Sequence, residues 1–336
     1  MKILVTGGAG FIGSNFIHYW LSKYPDDEII NLDKLTYAGN LLSLKDIADK
    51  PNYKFIKSDI LNFDLIKELT KNIDLIVHFA AETHVDRSIE GPFEFVRTNV
   101  EGTTVLLEAA RQNGNIRFHH VSTDEVFGSL DLDSEEKFFE ATPYDPRSPY
   151  SASKAGADHM VRAYYETHKL PITISNCSNN YGPFEHPEKL IPLVITRALN
   201  NEKIPVYGDG ENIRDWIFVS DHCRGIDLII KKGEIGQTYL LGGNGERANI
   251  DVVENILDIL EKPDSLITFV PDRKGHDRRY AIDFSKAKGE LGFEPEKPFE
   301  QRLEETVKWY KENEWWWKKL KPEADKIAQK YLDRVK

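Results

Sequence analysis

A cluster of glycines directly after the first apolar run constrains this chain more than any other feature. Residues Lys2–Thr6 are typical of a buried strand, and Gly7, Gly10 and Gly13 follow at intervals of three as the helical pattern of Phe11–Lys23 begins. Glycine permits a tight turn and lets the backbone approach a pyrophosphate, while the start of a helix offers unpaired N–H groups and a positive dipole. Strand, spacing and helix together predict a dinucleotide-binding loop rather than a turn that only packs two elements.

Apolar runs of strand length alternate with helical stretches through the first half of the sequence. Near-continuous Val, Ile, Leu and Phe in such runs is typical of strands buried in a parallel sheet. We therefore predict an α/β fold in which residues 1–176 form a dinucleotide-binding domain, a Rossmann-like doubly wound parallel sheet that also carries the candidate site residues described below. For residues 177–336 we predict a smaller mixed α/β lobe that mainly binds substrate. Some segments of this half are expected to pack back into the first domain. The later strand runs are Glu28–Leu32, Lys54–Ile56, Leu75–Phe79 and Arg117–Ser122, and the long helical stretches are Pro92–Asn113 and Pro149–Lys169.

Charge and cysteine content exclude several classes of partner. The 336 residues include 44 basic and 55 acidic side chains, a formal charge of −11, which repels nucleic acid and anionic membranes. Apolar runs fall well short of the roughly 18 residues that a membrane helix needs. Cys177 and Cys223 are the two cysteines, and neither they nor the ten histidines have metal-ligand spacing. We predict a cytoplasmic protein without a metal site.

An acidic residue ends the second predicted strand, where it bears on the choice of cofactor. Asp33 lies 20 residues beyond Gly13, where a carboxylate bonds a ribose 2′-hydroxyl and repels a 2′-phosphate, so NAD is favoured over NADP. Lys34 beside it weakens this exclusion, because a cation accommodates a phosphate. Asp59, after the third strand, is placed either to approach the adenine or to cap the next helix.

Tyr150 and Lys154 lie four residues apart on a predicted helix, so their side chains project from one face. An ammonium close to a phenol favours the phenolate and is expected to lower the pKa of Tyr150 from about 10 toward neutrality. Such a tyrosine can serve as the base for a hydroxyl whose carbon gives up hydride. The Tyr-x-x-x-Lys pattern is weak alone, but together with an N-terminal dinucleotide loop it indicates a dehydrogenase-type site.

Two neighbouring carboxylates follow the fifth predicted strand, in the sequence Thr123-Asp124-Glu125. The carboxyl ends of parallel strands are where α/β sheets place ligands. An isolated Asp-Glu pair is more typical of a helix cap or a solvated loop. Beside Tyr150 and Lys154, the pair indicates an acid and a base with different pKa values in one reaction.

These motifs resemble the extended short-chain dehydrogenase/reductase family, over nearly the whole chain. Within it the sugar-nucleotide dehydratases are most similar, because related 4-epimerases generally lack both carboxylates and decarboxylases usually carry a serine before the glutamate. Lys274 and Phe127 depart from the pattern, standing where the family usually has proline and tyrosine. The matching blocks are Gly7–Ser14, Leu35–Asn40, Ala80–Ser88, Ser122–Gly128, Ser148–Lys154, Asn176–Pro183, Ile213–Trp216 with Asp221 and His222, and Gly275–Asp283.

The resemblance implies NAD-dependent 4,6-dehydration of dTDP-glucose to a 4-keto-6-deoxy sugar nucleotide and water. Tyr150 would take the C4 hydroxyl proton while hydride leaves C4, and Thr123 would orient that hydroxyl. Glu125 would then remove the C5 proton, Asp124 would protonate the departing C6 hydroxyl, and the hydride would return to C6. Asp124 must be protonated and Glu125 ionised for these roles.

The resemblance also extends the sites beyond the motifs. It implies a homodimer, for which the two long helical stretches are a candidate interface. Contacts to NAD are expected from Gly7, Gly10, Phe11, Ile12, Gly13, Asp33, Lys34, Leu35, Thr36, Asp59, Ile60, Phe79, Ala80, Ala81, Thr83, Thr98, Tyr150, Lys154 and Asn180.

Contacts to the substrate carry over to a second set of residues, in which the arginine forks suit phosphate oxygens. The alternatives left open are the same dehydration of UDP-glucose, a nucleotide-sugar 4-epimerase, and a non-enzymatic dinucleotide sensor. The expected substrate residues are Thr83, Thr123, Asn179, Lys189, Leu190, Pro205, Val206, Tyr207, Arg214, Asn249, Arg273 and His276.

Overall fold

A parallel sheet of seven strands forms the centre of the molecule. The computed structural model describes residues 1–273 and 275–335, so Lys274 lies outside the described residues. In chain order the strands are β1 (Lys2–Thr6), β2 (Glu28–Asp33), β3 (Tyr53–Lys57), β4 (Leu75–His78), β5 (Arg117–Thr123), β6 (Ile172–Cys177), β7 (Asn179–Tyr181), β8 (Ile204–Tyr207), β9 (Ile213–Arg214), β10 (Trp216–Phe218), β11 (Thr238–Leu241), β12 (Arg247–Ala248) and β13 (Ile267–Val270).

Helices cover both faces of this sheet and build a second core beside it. None of the helices in the described ranges is long and apolar enough to cross a membrane. They are α1 (Phe11–Lys23), α2 (Phe63–Leu69), α3 (Val85–Glu90), α4 (Pro92–Phe95), α5 (Gly102–Gln112), α6 (Pro149–His168), α7 (Leu190–Leu199), α8 (Val219–Lys232), α9 (Asn249–Ile259), α10 (Phe299–Glu312), α11 (Glu314–Trp317) and α12 (Lys321–Leu332).

The strand order creates a ligand crevice at the carboxyl ends of the central strands. The order is β11-β6-β5-β4-β1-β2-β3, and every neighbouring pair is parallel. The chain runs outward from β1 to β3 and then returns to β4 on the other side of β1. Carboxyl ends of β1 and β4 therefore diverge at a topological switch point, where open α/β sheets bind ligands. The predicted Rossmann-like fold is confirmed.

Burial explains why the strands read as continuous apolar runs. Helices α1 and α8 cover one face of the sheet, and α2, α5 and α6 cover the other. All four residues of β4 are buried, as parallel strands between two helical layers must be. The sheet continues past residue 176, because β11 pairs with β6 although it comes from the C-terminal half.

A second core lies beside the sheet and forms most of the smaller lobe. Helices α7, α9 and α10 pack around the parallel pair β8 and β13. Trp316 and Trp317 are buried in this core, whereas Trp315 is half exposed. Adjacent residues on a helix face different ways, so the tryptophan run splits between core and surface.

The stretch 92–113, predicted as one helix, follows a helical path that a π-helical turn interrupts. This turn spans Val96–Glu101, between α4 and α5. The Asn99 side chain within it bonds both the N–H and the C=O of Glu82, at 2.9 and 3.0 Å, and the Ser153 hydroxyl at 2.8 Å. π-helical turns are frequent at functional sites, and Thr98 of this one lines the cavity described next.

Candidate active site

The glycine loop forms the floor of a cavity of about 290 Å³ at the carboxyl ends of β1 and β4. Gly7 has a φ of +71°, and a Cβ there would lie 2.5 Å from the Ala80 nitrogen. A Cβ on Gly13 would lie 2.4 Å from the Gly7 oxygen. Both positions therefore require glycine, because a side chain would collide with backbone. Gly10 precedes α1 without a side chain to cap it, which leaves N–H groups at the helix start for an anionic ligand.

Asp33 stands at the end of β2, beside this loop. Its carboxylate accepts the N–H groups of Ala9 at 3.0 Å and Leu35 at 2.7 Å, and burial raises its pKa against those two bonds. Lys34 is paired with Asp59 at 2.8 Å, so its charge is already neutralised. The carboxylate therefore dominates this part of the cavity, an arrangement that suits a ribose 2′-hydroxyl better than a 2′-phosphate.

Two details of this region differ from the sequence expectations. Leu35 does not line the cavity, because it occupies a left-handed turn with a φ of +57° and uses its N–H to hold Asp33. Asp59 accepts the N–H of Leu61, and Asn62 rather than Asp59 caps α2. The helix-cap interpretation of Asp59 is therefore wrong, and its carboxylate lies in the cavity lining instead.

Most of the residues expected to contact NAD line this one cavity. The cavity suits NAD chemically, because it offers free N–H groups to the pyrophosphate and a carboxylate to the ribose. Sequence reasoning missed Ser58 and Glu82, which are adjacent to predicted residues, and Glu185, Trp316 and Leu320, which line the cavity from distant segments. The expected residues in the lining are Gly7, Gly10, Phe11, Ile12, Gly13, Asp33, Lys34, Thr36, Asp59, Ile60, Phe79, Ala80, Ala81, Thr83, Thr98, Tyr150, Lys154 and Asn180.

Tyr150 and Lys154 enter the same cavity from the first turns of α6. The helix begins at Pro149, and Ser148 and Ser151 cap each other's backbone N–H groups, which fixes the start of the helix. The Lys154 ammonium donates to the Val121 carbonyl at 2.8 Å. Both side chains are buried, so the pair is rigidly placed against the end of β5.

The electrostatics of the tyrosine differ from expectation. Burial and the Glu125 carboxylate hold the pKa of Tyr150 well above its usual value. Burial lowers the pKa of Lys154, against the attraction of Asp158. The expected lowering of the tyrosine pKa by Lys154 is therefore wrong for this arrangement, because burial of the phenol and then the Glu125 carboxylate raise that pKa, while the Lys154 ammonium donates to a carbonyl.

The two carboxylates lie where β5 ends and turns into the short helix Asp124–Phe127. Thr123 caps this turn, since its hydroxyl accepts the Glu125 N–H at 3.2 Å. Asp124 is 1% exposed, and its Oδ2 finds no hydrogen-bond partner within the described part of the chain. Burial, the charge of Glu125 and that of Asp215 raise the pKa of Asp124 well above its usual range.

The charges around Glu125 differ from those around Asp124. Burial raises its pKa too, but the cations of Arg273, Lys189 and Arg214 oppose that shift. When the two carboxyl groups hold one proton between them, that proton therefore resides on Asp124 and Glu125 is ionised. Environments that separate two neighbouring carboxyl pKa values in this way are typical of an acid and a base in one reaction.

A second cavity, about 180 Å³ in volume, adjoins the first. Thr83, Glu125 and Asn179 line both, so the two cavities meet at the carboxylate pair. Thr123 lies on the cofactor side of this junction. The other residues expected to contact substrate all line the second cavity, namely Lys189, Leu190, Pro205, Val206, Tyr207, Arg214, Asn249, Arg273 and His276.

Arg214 is held in place inside the second cavity by its neighbours. Its guanidinium lies 4.3 Å from the Tyr280 ring centre and donates to the Asp277 carbonyl at 3.0 Å. His276 lies beside it in the lining, with Nδ1 2.6 Å from Asp272. A fixed arginine fork in a buried cavity suits phosphate oxygens.

His84 is a further histidine of the second cavity, and it is absent from the expected cofactor and substrate residues. It immediately precedes α3 and lines the second cavity. Burial and the cations Lys189 and Arg87 lower the pKa of His84 to about 2, so it is a neutral imidazole. Its imidazole lies 3.9 Å from the Glu188 carboxylate, about one hundred residues further along the chain, so its position leaves no local sequence signal.

Two other histidines, His119 and His120, are buried in the sheet and contact polar side chains there. The two nitrogens of His119 lie 2.9 Å from the Thr173 hydroxyl and 3.1 Å from the Ser175 hydroxyl, while His120 lies 3.1 Å from Asp158. Across residues 1–273 and 275–335, no three His, Cys, Asp or Glu side chains are grouped to hold a metal ion.

Comparison with known proteins assigns the chain to a family. The family model described as GDP-mannose 4,6 dehydratase matches residues 4–306. The chain belongs to the GDP-mannose 4,6 dehydratase family. Within that family, it is 52% identical to the dTDP-glucose 4,6-dehydratase of Xanthomonas campestris pv. campestris strain B100, over 93% of this chain and 94% of that protein. The expected membership of a sugar-nucleotide dehydratase family is confirmed.

Solved structures of this family agree with the fold and with the cofactor. The Bacillus anthracis dTDP-glucose 4,6-dehydratase, crystallised with NAD, has a TM-score of 0.89 and 52% identity, covering 95% of this chain and 99% of that one. The Streptomyces venezuelae dTDP-glucose 4,6-dehydratase, with NAD and dTDP bound, has a TM-score of 0.93 and 48% identity, covering 95% and 100%.

Proposed function

We propose that this chain converts dTDP-glucose to dTDP-4-dehydro-6-deoxyglucose and water, with an NAD that is restored in every turnover. The observation that carries the proposal is that Tyr150, Asp124 and Glu125 line the first cavity together and that Glu125 also lines the second. The relatives with about half of their residues identical are named for the same reaction. NAD is the cofactor that the glycine loop and Asp33 fit.

The first step is oxidation at C4 of the sugar. Tyr150 takes the proton of the C4 hydroxyl, and Thr123 positions that hydroxyl. NAD, when bound, accepts the hydride from C4 and later gives it to C6. Burial and the Glu125 carboxylate raise the pKa of Tyr150, so ionisation of the phenol is the costly part of this step and the phenolate is a strong base once it has formed.

The second step removes water across C5 and C6. The new ketone acidifies the C5 proton, which Glu125 accepts in its ionised form. Asp124, protonated because of its raised pKa, gives its proton to the C6 hydroxyl as the C–O bond breaks. Return of the hydride to C6 and of the proton held by Glu125 to C5 completes the product. Tyr150 releases its proton to solvent and Asp124 regains one, so the balance is loss of one water and no net oxidation.

The substrate is held from the second cavity. Arg214 and Arg273 supply charge for the diphosphate, and Pro205, Val206 and Tyr207 of β8 form an apolar surface for the base. Dehydration is favoured over 4-epimerisation because epimerisation needs neither an acid for C6 nor a base for C5. A dinucleotide sensor would need none of the four titratable side chains at the junction.

The proposal is tested by mass spectrometry of the NAD-loaded protein incubated separately with dTDP-glucose, UDP-glucose, GDP-mannose and UDP-glucuronate. We expect loss of one water from dTDP-glucose alone. Equal loss from UDP-glucose would overturn the base assignment and keep the chemistry. Unchanged mass in all four mixtures would contradict dehydration, and NMR of the same mixtures would then detect an epimer.

We further propose a cytoplasmic homodimer that supplies a deoxysugar nucleotide. Helices α5 and α6 pack side by side, and next to them Phe93 is 82% exposed and Val96 53% exposed. Exposed large apolar side chains grouped on one surface are typical of a subunit contact. Light scattering is expected to give a dimer for the native chain and a monomer for Phe93→Glu. A native monomer at every concentration would contradict the homodimer.

A further inference from the structure

A group of polar side chains is buried behind the candidate active site, between the sheet and helix α6, and no step of the proposed reaction uses it. At its centre is Asp158, whose side chain is 0% exposed. The Asp158 carboxylate lies 3.1 Å from the His120 ring and accepts the Ser122 and Tyr144 hydroxyls at 2.9 and 2.8 Å. A buried carboxylate with this many polar contacts is held in one position.

One further contact of this carboxylate reaches the end of β5. The Asn176 amide of β6 donates to the Thr123 carbonyl at 2.9 Å and to the Asp158 carboxylate at 3.3 Å. Ser122, which donates to the same carboxylate, directly precedes Thr123 in β5. Asp158 therefore ties the carboxyl end of β5, and with it the residue that positions the C4 hydroxyl, to helix α6.

The carboxylate also lies one helical turn beyond Lys154, and residues four apart on a helix are neighbours on one face. The Lys154 side chain is buried, and it donates to the uncharged Val121 carbonyl at 2.8 Å. An ammonium buried in this way is costly unless an opposite charge lies close to it. Burial lowers the pKa of Lys154, and the Asp158 carboxylate opposes that shift.

Asp158 is the ionised acid of this group. Burial alone would raise its pKa, but the contact with His120 and the charge of Lys154 hold the pKa of Asp158 below its usual value. His120 is neutral, since burial lowers its pKa to about 4, and Cys177 is neutral, since burial raises its pKa to about 12. The titratable or charged groups around Asp158, Lys154 and Tyr144 are His78 of β4, His120 of β5, Tyr150, His159 and Arg162 of α6, and Cys177 of β6.

We infer that Asp158 is a positioning residue of the reaction: its carboxylate is the counter-charge that keeps Lys154 an ammonium, and its hydrogen bonds hold Thr123 at the end of β5. Asp158 lines neither cavity, so it acts through these neighbours. An ammonium has three N–H donors, and after the bond to Val121 it keeps donors for ligands of the cofactor cavity, which Lys154 lines. The step that Asp158 serves, C4 oxidation, rests on the proposed function.

The first experiment follows the titration of Lys154 itself in the NAD-loaded protein. Lysine labelled with carbon-13 at Cε reports the protonation of each ammonium by NMR, and Lys154→Met assigns the Lys154 signal by removing it. We expect Asp158→Asn to move the midpoint of the Lys154 titration to lower pH, because the charge is lost while the side chain keeps its shape. An unchanged midpoint would overturn the counter-charge.

Two controls separate the charge of Asp158 from its hydrogen bonds and from damage to the fold. Tyr144→Phe removes one donor to the carboxylate and keeps its charge, so the Lys154 midpoint should stay at the native value. Asp227→Asn changes an equally buried aspartate, which accepts from Lys23 at 2.6 Å between α1 and α8, and it should leave the midpoint unchanged too. An equal shift in either control would show that Asp158→Asn acts through the fold.

The effect on the reaction is measured as NADH absorbance in an Asp124→Asn background, in which water loss is slowed and the oxidised sugar accumulates. Adding Asp158→Asn is expected to slow C4 oxidation about tenfold on the alkaline side. The change should be smaller on the acidic side, where Lys154 keeps its proton. Asp227→Asn in the same background should leave the profile unchanged. Equal slowing by Asp158→Asn at every pH would contradict a role for the charge.

A double variant covers the case in which Asp158→Asn fails to fold. Leaving one charge of a buried pair without its partner is more costly than removing both charges. The double variant Lys154→Met with Asp158→Asn should therefore need more urea to unfold than either single variant. A double variant no more stable than Asp158→Asn would overturn the pairing.

The outcomes separate this inference from the proposed function. The Lys154 titration and the urea unfolding need no substrate, so they decide on Asp158 even if the native protein does not dehydrate dTDP-glucose. No NADH in Asp124→Asn with any of the four sugar nucleotides would overturn the proposed C4 oxidation, and the titration result would still stand.

Discussion

The two cavities that meet at Asp124 and Glu125 are built in opposite ways. The cofactor cavity has a floor of backbone, where the glycine loop comes within contact distance of Ala80, and its key residues follow the ends of successive strands. The substrate cavity is walled by side chains of α3, α7, β8, α9 and α12, which lie far apart in the chain. Local sequence dictates the first kind of site, whereas the second exists only after the lobe has packed.

The largest expected effect is at the junction of the two cavities. Tyr150→Phe removes the base and leaves both binding surfaces, so we expect C4 oxidation to fall about 10³-fold while NAD and dTDP still bind. NADH absorbance after mixing with substrate measures the step. Native NADH formation in this variant would show that another group takes the proton.

The next effect separates the two carboxylates. Asp124→Asn cannot protonate the C6 hydroxyl, so we expect water loss to fall about 10²-fold to 10³-fold while C4 oxidation continues. Solvent deuterium should still enter C5 in this variant, because Glu125 is intact. Glu125→Gln is the matched control and should block that exchange. Deuterium exchange in Glu125→Gln but not in Asp124→Asn would reverse the two roles.

A substitution in the glycine loop should weaken NAD binding and leave the substrate cavity unchanged. Gly7→Ala forces a Cβ onto the Ala80 backbone at a positive φ, and we expect NAD affinity to fall roughly 100-fold, with dTDP affinity unchanged. Gly289→Ala is the control, because its Cβ meets no described atom within 4 Å. Fluorescence titration with NAD measures the loss. Equal loss of dTDP affinity would mean that the two cavities are not independent.

The smallest effect is on the pH profile. Activity should fall at low pH as Glu125 gains a proton, at a pH above the usual glutamate pKa because burial raises it, and at high pH as Asp124 loses its proton. Arg273→Gln removes a cation that lowers the pKa of Glu125, so the acidic limb of kcat should move to higher pH. A move to lower pH would contradict the assignment of Glu125 as base.

The sequence predicted the parts of the molecule that depend on local spacing. The glycine loop, Asp33 and the Tyr150–Lys154 pair lie where their strand and helix contexts indicate. The raised pKa of Tyr150 was not predictable, because it depends on how deeply the packed chain buries the phenol and on how close the Glu125 carboxylate lies to it. The π-helical turn at Asn99 depends on a bond to Glu82, seventeen residues away, and no helical periodicity contains that information.

The contribution of α12 was beyond sequence reasoning for a related reason. Ala324 and Ala328 have the ordinary helical spacing of residues that face a core, and alanine carries no chemical signature. The ion pair of Asp325 with Arg197 of α7 and the contact of Tyr331 with Tyr207 help to hold these alanines at the second cavity.

The late strand β11 has a consequence for how the chain is made. On the ribosome, β6 emerges about 60 residues before its neighbour β11, which at roughly 5–20 residues per second is several seconds of synthesis. During that interval the outer edge of β6 is an open template for pairing with other chains. Synthesis must therefore reach β11, within the second half of the chain, before the edge of the seven-stranded sheet is covered. A fragment ending at residue 176 would leave that edge unpaired.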